Sequence, residues 1–247
     1  MPTPAAPIRD LLLVTGAPFS ATLWSGVEER LRTHGLRGES IELLDCSTVQ
    51  AAADLLASRV RMHDGPLAIV AHGSAVPAAL RAAAAAAPAA LVLTNGPAAR
   101  VDPILKGIAA LPTIALSQLL LRPGVWLRWL ASSAGLRRAV INPYVMDRDM
   151  VVTICQPPVN TAPRRAASAS WLKDVARGEP TPSFSGALLL VWGDHDPLYP
   201  ASDVDIVRKR MPQLAHTSIP GGQHLHPIER PWAIADAIAE WLSATSP

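Results

Sequence analysis

The sequence predicts an α/β fold: one mostly parallel, doubly wound sheet of about six strands, interrupted by an all-helical insertion. Two observations carry this. Through residues 8–96, and again from 186 onward, short apolar runs alternate with segments of helical periodicity; each run is apolar throughout, as in a strand covered on both faces. From residue 97 to 182 no such run occurs, and helical stretches cut by prolines replace them. The predicted division is a core of residues 1–96 and 183–247 and a cap of residues 97–182. Lying between two strands of one sheet, the cap should cover the sheet's carboxyl edge, where open α/β sheets bind ligands.

The elements follow in order. "IRDLLLVTG" (8–16) is a strand ending in glycine, and "SATLWSGVEERLRTHG" (20–35) a helix in which Ser20 can cap, Leu23, Val27 and Leu31 recur at helical spacing and Gly35 can terminate. "SIELLD" (40–45) is a strand, "TVQAAADLLASRVRMHDG" (48–65) a helix, "LAIVAHG" (67–73) a strand, "SAVPAALRAAAAA" (74–86) a helix and "AALVLTNG" (89–96) a strand. The insertion supplies "PILKGIAAL", "TIALSQLLL", "GVWLRWLASS", "VMDRDMVVTIC" and "AASASWLKDVARG" as helices. The alternation resumes with the strand "GALLLVWGDHD", the helix "SDVDIVRKRM", the short strand "AHTSI" and the helix "RPWAIADAIAEWL".

At 247 residues, 49% hydrophobic and 17% charged, the chain has the composition of a globular protein, with one domain carrying an insertion preferred over two. Twenty-two basic and 20 acidic side chains leave a charge of +2 with no block of like charges, which argues against nucleic acid as a partner. Cys46 and Cys155 are isolated thiols, suited to a reducing compartment and to neither a disulfide framework nor a zinc site. No signal peptide is expected, and the longest uncharged apolar run, 107–121, is short of the roughly twenty residues of a membrane span. A cytoplasmic protein with no membrane partner is the expectation. Oligomeric state stays open, a homodimer through the cap included.

Four stretches carry chemistry-bearing residues: "PGGQHLHPIERPWAIADAIAEWL", "LLLVWGDHDPLYP", "LLLVTGAPFSATLW" and "LAIVAHGSAVPAAL". In this order they resemble the α/β-hydrolase family, and within it the members with a helical cap, such as epoxide hydrolases, haloalkane dehalogenases and carbon–carbon bond hydrolases. The resemblance runs from Ile8 onward, without the antiparallel hairpin that usually opens the fold. It implies that His224, in a glycine-rich loop before Glu229-Arg230-Pro231, takes the catalytic histidine position and Asp196 that of the supporting acid. A carboxylate there fixes the imidazole tautomer and raises its basicity, and the acid precedes the histidine as the family order requires. The first strand's loop resembles the oxyanion loop: Gly16, Ala17 and Pro18 fit, while Thr15 replaces a histidine. The backbone N–H groups of Ala17 and Ser74 would then form the oxyanion hole.

The remaining motif resembles the nucleophile elbow, whose pattern is small-x-nucleophile-x-small because flanking backbones pass close to the turn. A slot at 73 puts Ala71 and Ala75 in the small positions; a slot at 74 would put His72 and Val76 there. The slot is therefore residue 73, and it holds glycine. Ser74 next to it reads first as a helix cap and second as a polar contact to substrate. With His224 and Asp196 kept and no nucleophile, the expected function is general acid–base catalysis on a hydrophobic, carbonyl-containing small molecule, either water-mediated hydrolysis or a cyclisation, elimination or isomerisation. The alternative is a catalytically silent small-molecule-binding protein, and a third reading is a glycine introduced in place of a natural serine. Candidate pocket-lining residues are Thr15, Trp126, Trp129, Leu119 and Leu120, although the stripe of Trp126, Leu127, Trp129 and Leu130 reads first as packing against the sheet. His226 and His195 hint at a metal, but nothing completes a ligand set, so neither metal nor cofactor is expected.

Overall fold

Parallel strands buried on both faces send alternate side chains to opposite layers. The first strand does so: Leu12 and Val14 enter one hydrophobic cluster, Leu11 and Leu13 the other. The computed structural model describes residues 6–140, 148–178 and 184–245. Within them lie strands β1 (Asp10–Thr15), β2 (Arg37–Glu42), β3 (Leu67–His72), β4 (Ala90–Thr94), β5 (Ala187–Gly193) and β6 (Ala215–Ile219). All are parallel neighbours in the order β2-β1-β3-β4-β5-β6. The order reverses between β1 and β3, and the crevice beyond the carboxyl ends at such a switch is where open sheets hold ligands. The loops leaving those two strands are Gly16-Ala17-Pro18 and Gly73-Ser74.

Helices α1 (Ser25–Thr33), α2 (Val49–Met62) and α3 (Val76–Ala86) connect the first four strands. Thr48 caps α2 by accepting from the Ala51 N–H, and Gly35, with φ +72°, ends α1. Between β4 and β5 the described residues carry α4 (Pro103–Ala110), α5 (Ile114–Leu120), α6 (Pro123–Leu130), α7 (Ser133–Ala139), α8 (Arg148–Cys155) and α9 (Ala162–Arg177), and no strand. The carboxyl boundary expected at 182, and Val145–Asp147 of the expected helix 145–155, lie outside the described residues. The chain closes with α10 (Ser202–Arg210), the short α11 (His226–Glu229) and α12 (Pro231–Thr245). One face of the sheet carries α2, α3, α9 and α10, and the other α1, α8 and α12.

Two expectations are corrected. β2 occupies 37–42 and not 40–45: it is an edge strand whose register is set by pairing Asp10 with Arg37, and the buried Leu43 and Leu44 that drew the reading downstream belong to the following turn. Ser20 does not cap the first helix. Its hydroxyl lies instead between the Thr22 hydroxyl (3.3 Å) and the Thr153 carbonyl (3.4 Å), the latter a partner 133 residues away that no local pattern announces.

Candidate active site

The turn after β3 is the starting point. Gly73 has φ +56°, a left-handed conformation that an L side chain adopts only under strain. Around it the backbones are close: a Cβ on Gly96 would lie 2.4 Å from the Gly73 carbonyl oxygen. Among the described residues, its chain neighbours aside, a Cβ on Gly73 itself would meet only His224 within 4 Å, at 3.7 Å from Nε2 and 3.8 Å from Cε1. The bare position thus faces the working edge of an imidazole. The register argued from sterics places the slot at this same residue.

His224 is carried by the loop between β6 and α11. A Cβ on Gly193, the last residue of β5, would come within 2.5 Å of the Gly222 carbonyl, so this loop lies directly on the strand end. Its Nδ1–H donates to Asp196 Oδ2 at 2.9 Å, which turns Nε2 toward Gly73. Asp196 is held from every side. Oδ2 also accepts from Asn95 Nδ2 at 2.7 Å, and Oδ1 accepts the backbone N–H groups of Leu198 (2.7 Å) and Tyr199 (3.2 Å). Burial works to raise its pKa, but the His224 charge and hydrogen bond, with the two backbone donors, outweigh burial and hold the carboxyl below its usual value. Asn95, at the end of β4, accepts in turn from the Gly193 N–H at 2.7 Å, so the acid loop is pinned to the neighbouring strand.

Ala17, in the loop after β1, and Ser74, in the single helical turn after β3, both line the cavity beside His224. The Ser74 side chain neither caps nor faces His224. Its hydroxyl donates to the Ala17 carbonyl at 2.6 Å and accepts from Trp171 Nε1 at 2.9 Å, tying the two loops to α9. Gly16 makes room for this: a Cβ there would fall 2.6 Å from Ser74 Oγ.

The cavity, about 90 Å³, is lined by Phe19, Trp126, Trp129, Leu130, Leu172 and Leu198 among other apolar side chains, with Asp102, Tyr199 and His224 as the polar exceptions besides Ser74. Trp126 and Trp129 stack with centroids 5.5 Å apart. Tyr199 donates its hydroxyl to Asp102 at 2.7 Å; burial first, then Asp102, pushes the phenol pKa well above normal, so it remains a donor. Behind His224 stand two more buried imidazoles. His72, its ring centroid 5.0 Å from that of His224, pairs Nδ1 with the Thr94 hydroxyl at 2.8 Å; His226 donates Nδ1–H to the Gln223 carbonyl at 2.9 Å and, mainly through burial, titrates at about 4.

Known structures share this architecture across nearly their whole length. A thermophilic esterase from Thermogutta terrifontis is 22% identical with a TM-score of 0.71, over 99% of this chain and 92% of that one. An alpha/beta hydrolase fold protein from Burkholderia ambifaria gives 21% and 0.70, over 96% and 92%. The Cif epoxide hydrolase from Acinetobacter nosocomialis, at 11% identity, gives 0.70 over 96% and 83%. No protein-family model matches the sequence, and no curated protein does.

This chain has the α/β-hydrolase fold.

Within that hydrolase fold the structure brings His224, Asp196, Gly73, Ala17, Ser74, Trp126 and Trp129 together. Three expected lining residues are corrected. Thr15 is fully buried behind the loop, its hydroxyl toward the Ile41 carbonyl at 3.5 Å. Leu119 and Leu120 are each 44% exposed, because α5 turns Ser117 inward and these two outward. Trp126 and Trp129, read first as packing, face the cavity. Among the described residues no three His, Cys, Asp or Glu side chains gather to hold a metal; His195 pairs with Asp194 at the surface. Sequence reasoning missed Asn95, Asp102, Trp171 and Tyr199. Only Asn95, directly after a strand and before glycine, carried a local signal.

Proposed function

We propose that this chain is an enzyme in which His224, oriented by Asp196, serves as general acid and base on a neutral carbonyl compound without a covalent nucleophile. The supporting observation is the bare Gly73, where an added Cβ would lie 3.7 Å from His224 Nε2, next to the cavity that Ala17 and Ser74 line. A water there, or the substrate's own acidic C–H, can deliver its proton to Nε2, while the Ala17 and Ser74 N–H groups stabilise the oxyanion or enolate. Asp196 is already ionised and fully hydrogen-bonded, so it stabilises the imidazolium electrostatically and takes no proton itself. Among the described residues no lysine or arginine lines the cavity, which favours uncharged substrates, and its apolar walls fit a hydrophobic one. The helices between β4 and β5 act as its cap.

The decisive experiment restores the missing oxygen. Gly73→Ser puts Oγ within hydrogen-bonding reach of Nε2, and the variant should hydrolyse 4-nitrophenyl acetate and react with a fluorophosphonate probe, at a stability cost of roughly 1–3 kcal/mol for the left-handed serine. A folded but unreactive Gly73→Ser protein would overturn the site geometry. For the native reaction, His224→Ala should lower turnover by about 10²–10⁴-fold. Incorporation of ¹⁸O from labelled water separates hydrolysis from proton transfer on the substrate. Ligand affinity that survives His224→Ala, with no product from the parent protein, would instead identify a binding protein.

A further inference from the structure

Large apolar side chains belong inside, and a cluster of them in solvent needs a reason. Of those exposed among the described residues, six fall within 114–129: Ile114 (45%), Leu116, Leu119, Leu120, Val125 (46%) and Trp129. They occupy α5 and α6, the latter the helix that supplies Trp126, Trp129 and Leu130 to the cavity wall. The charge of the same segment is one-sided. From Pro103 to Met146 the sequence has five cations and no acid, and Lys106, Arg122 and Arg128 among them are exposed. Exposed apolar residues interleaved with cations alone match the headgroup layer of an anionic bilayer. A second copy is a poorer match, because a two-fold contact would bring these cations against each other with no acid in the segment to neutralise them.

Against the expectation of no membrane partner drawn from the sequence, we propose that this face rests on an anionic lipid surface, with α5 and α6 lying in the headgroup layer and the cavity mouth turned toward apolar molecules held in the membrane. It lies on the bilayer and does not cross it: among the described residues no helix is long and apolar enough to span. Trp129 joins the two features, being 36% exposed on the patch and also a wall of the cavity. Indole is suited to that depth, with an apolar ring and an N–H for the interface. The inference stands apart from the chemistry assigned to His224 and is tested without any turnover.

Sedimentation of the full chain with vesicles provides the test, comparing phosphatidylcholine alone with phosphatidylcholine containing about a third phosphatidylserine. Each cation near such a surface strengthens binding by roughly fivefold, so Arg122 and Arg128, both exposed within this segment, should favour the anionic vesicles by at least about tenfold, with the preference falling as salt rises. Leu119→Gln/Leu120→Gln should weaken binding to anionic vesicles by roughly tenfold or more while circular dichroism and melting stay unchanged, since both side chains are exposed. Arg122→Glu/Arg128→Glu should abolish the anionic preference. Absence of binding to the anionic vesicles, or equal binding by the leucine variant, overturns the proposal. So does a dimer in light scattering that Leu119→Gln/Leu120→Gln converts to monomer.

Discussion

The histidines behind the site set a pH limit on the fold itself. His226 is fully buried and titrates at about 4, chiefly because burial penalises its charge, whereas an imidazole in the unfolded chain titrates near ~6.5. Between those values the unfolded chain binds a proton that the folded one refuses, so stability falls as pH drops from about 6.5 to about 4, by up to roughly 3 kcal/mol. His72, lowered by burial and by its two imidazole neighbours, acts in the same direction. Asp196 does not contribute to this slope. Its depressed pKa gives stability that is complete above the ordinary carboxylate value of ~3.9 and lost only as pH falls through its lower folded value. Urea unfolding across this pH range should therefore show a slope that His226→Gln, which keeps a donor for the Gln223 carbonyl, makes shallower. An unchanged slope would mean that His226 is not buried as described.

Glycines show how elements press on one another to fix the site. Gly193→Ala would drive a Cβ into the Gly222 carbonyl at 2.5 Å, with backbone on both sides and nothing flexible to yield. The cost should be about 1–3 kcal/mol, or roughly 2–10 °C in Tm, and the His224 loop should lift from β5. Gly107, within α4 and with nothing within 4 Å of an added Cβ, makes the contrast: Gly107→Ala should stabilise by about 0.5–1 kcal/mol. Calorimetric melting of the two variants checks both signs. These contacts also show where sequence reading stops. β1, β3, β4 and β5 were legible because each is a continuous apolar run, and His224 and Asp196 because each sits in a recognisable loop. β2 shifted because its alternating burial as an edge strand carries a weaker pattern than the buried leucines after it. Asp102 and Trp171 were silent because each reaches a partner about a hundred residues away, a relation with no periodicity to reveal it.

At the scale of the molecule, the question is how firmly the helices between β4 and β5 are joined to the sheet. Asp102 stands at their entrance, 2% exposed, and uses one carboxyl oxygen on the N–H groups of Ile104 and Leu105 and the other on the Tyr199 hydroxyl beside Asp196. One side chain therefore caps α4, which supplies Ile104, Leu105 and Ile108 to the cavity wall, and anchors it to the acid loop. Trp126 packs against both hydrophobic clusters and makes the attachment two-sided. Such coupling predicts one cooperative urea transition, with tryptophan fluorescence and far-ultraviolet circular dichroism coincident. Asp102→Ala removes the cap and leaves the Tyr199 hydroxyl buried without its partner, and should cost roughly 2–4 kcal/mol. Tyr199→Phe should cost about 1.5–3 kcal/mol by taking the donor from Asp102. Because both changes break the same bond, the double variant should be less destabilised than their sum, by about 1–2 kcal/mol. Strict additivity would show that the hydroxyl–carboxylate contact does not join the two parts in solution, and two separate transitions would show that the helices and the sheet unfold independently.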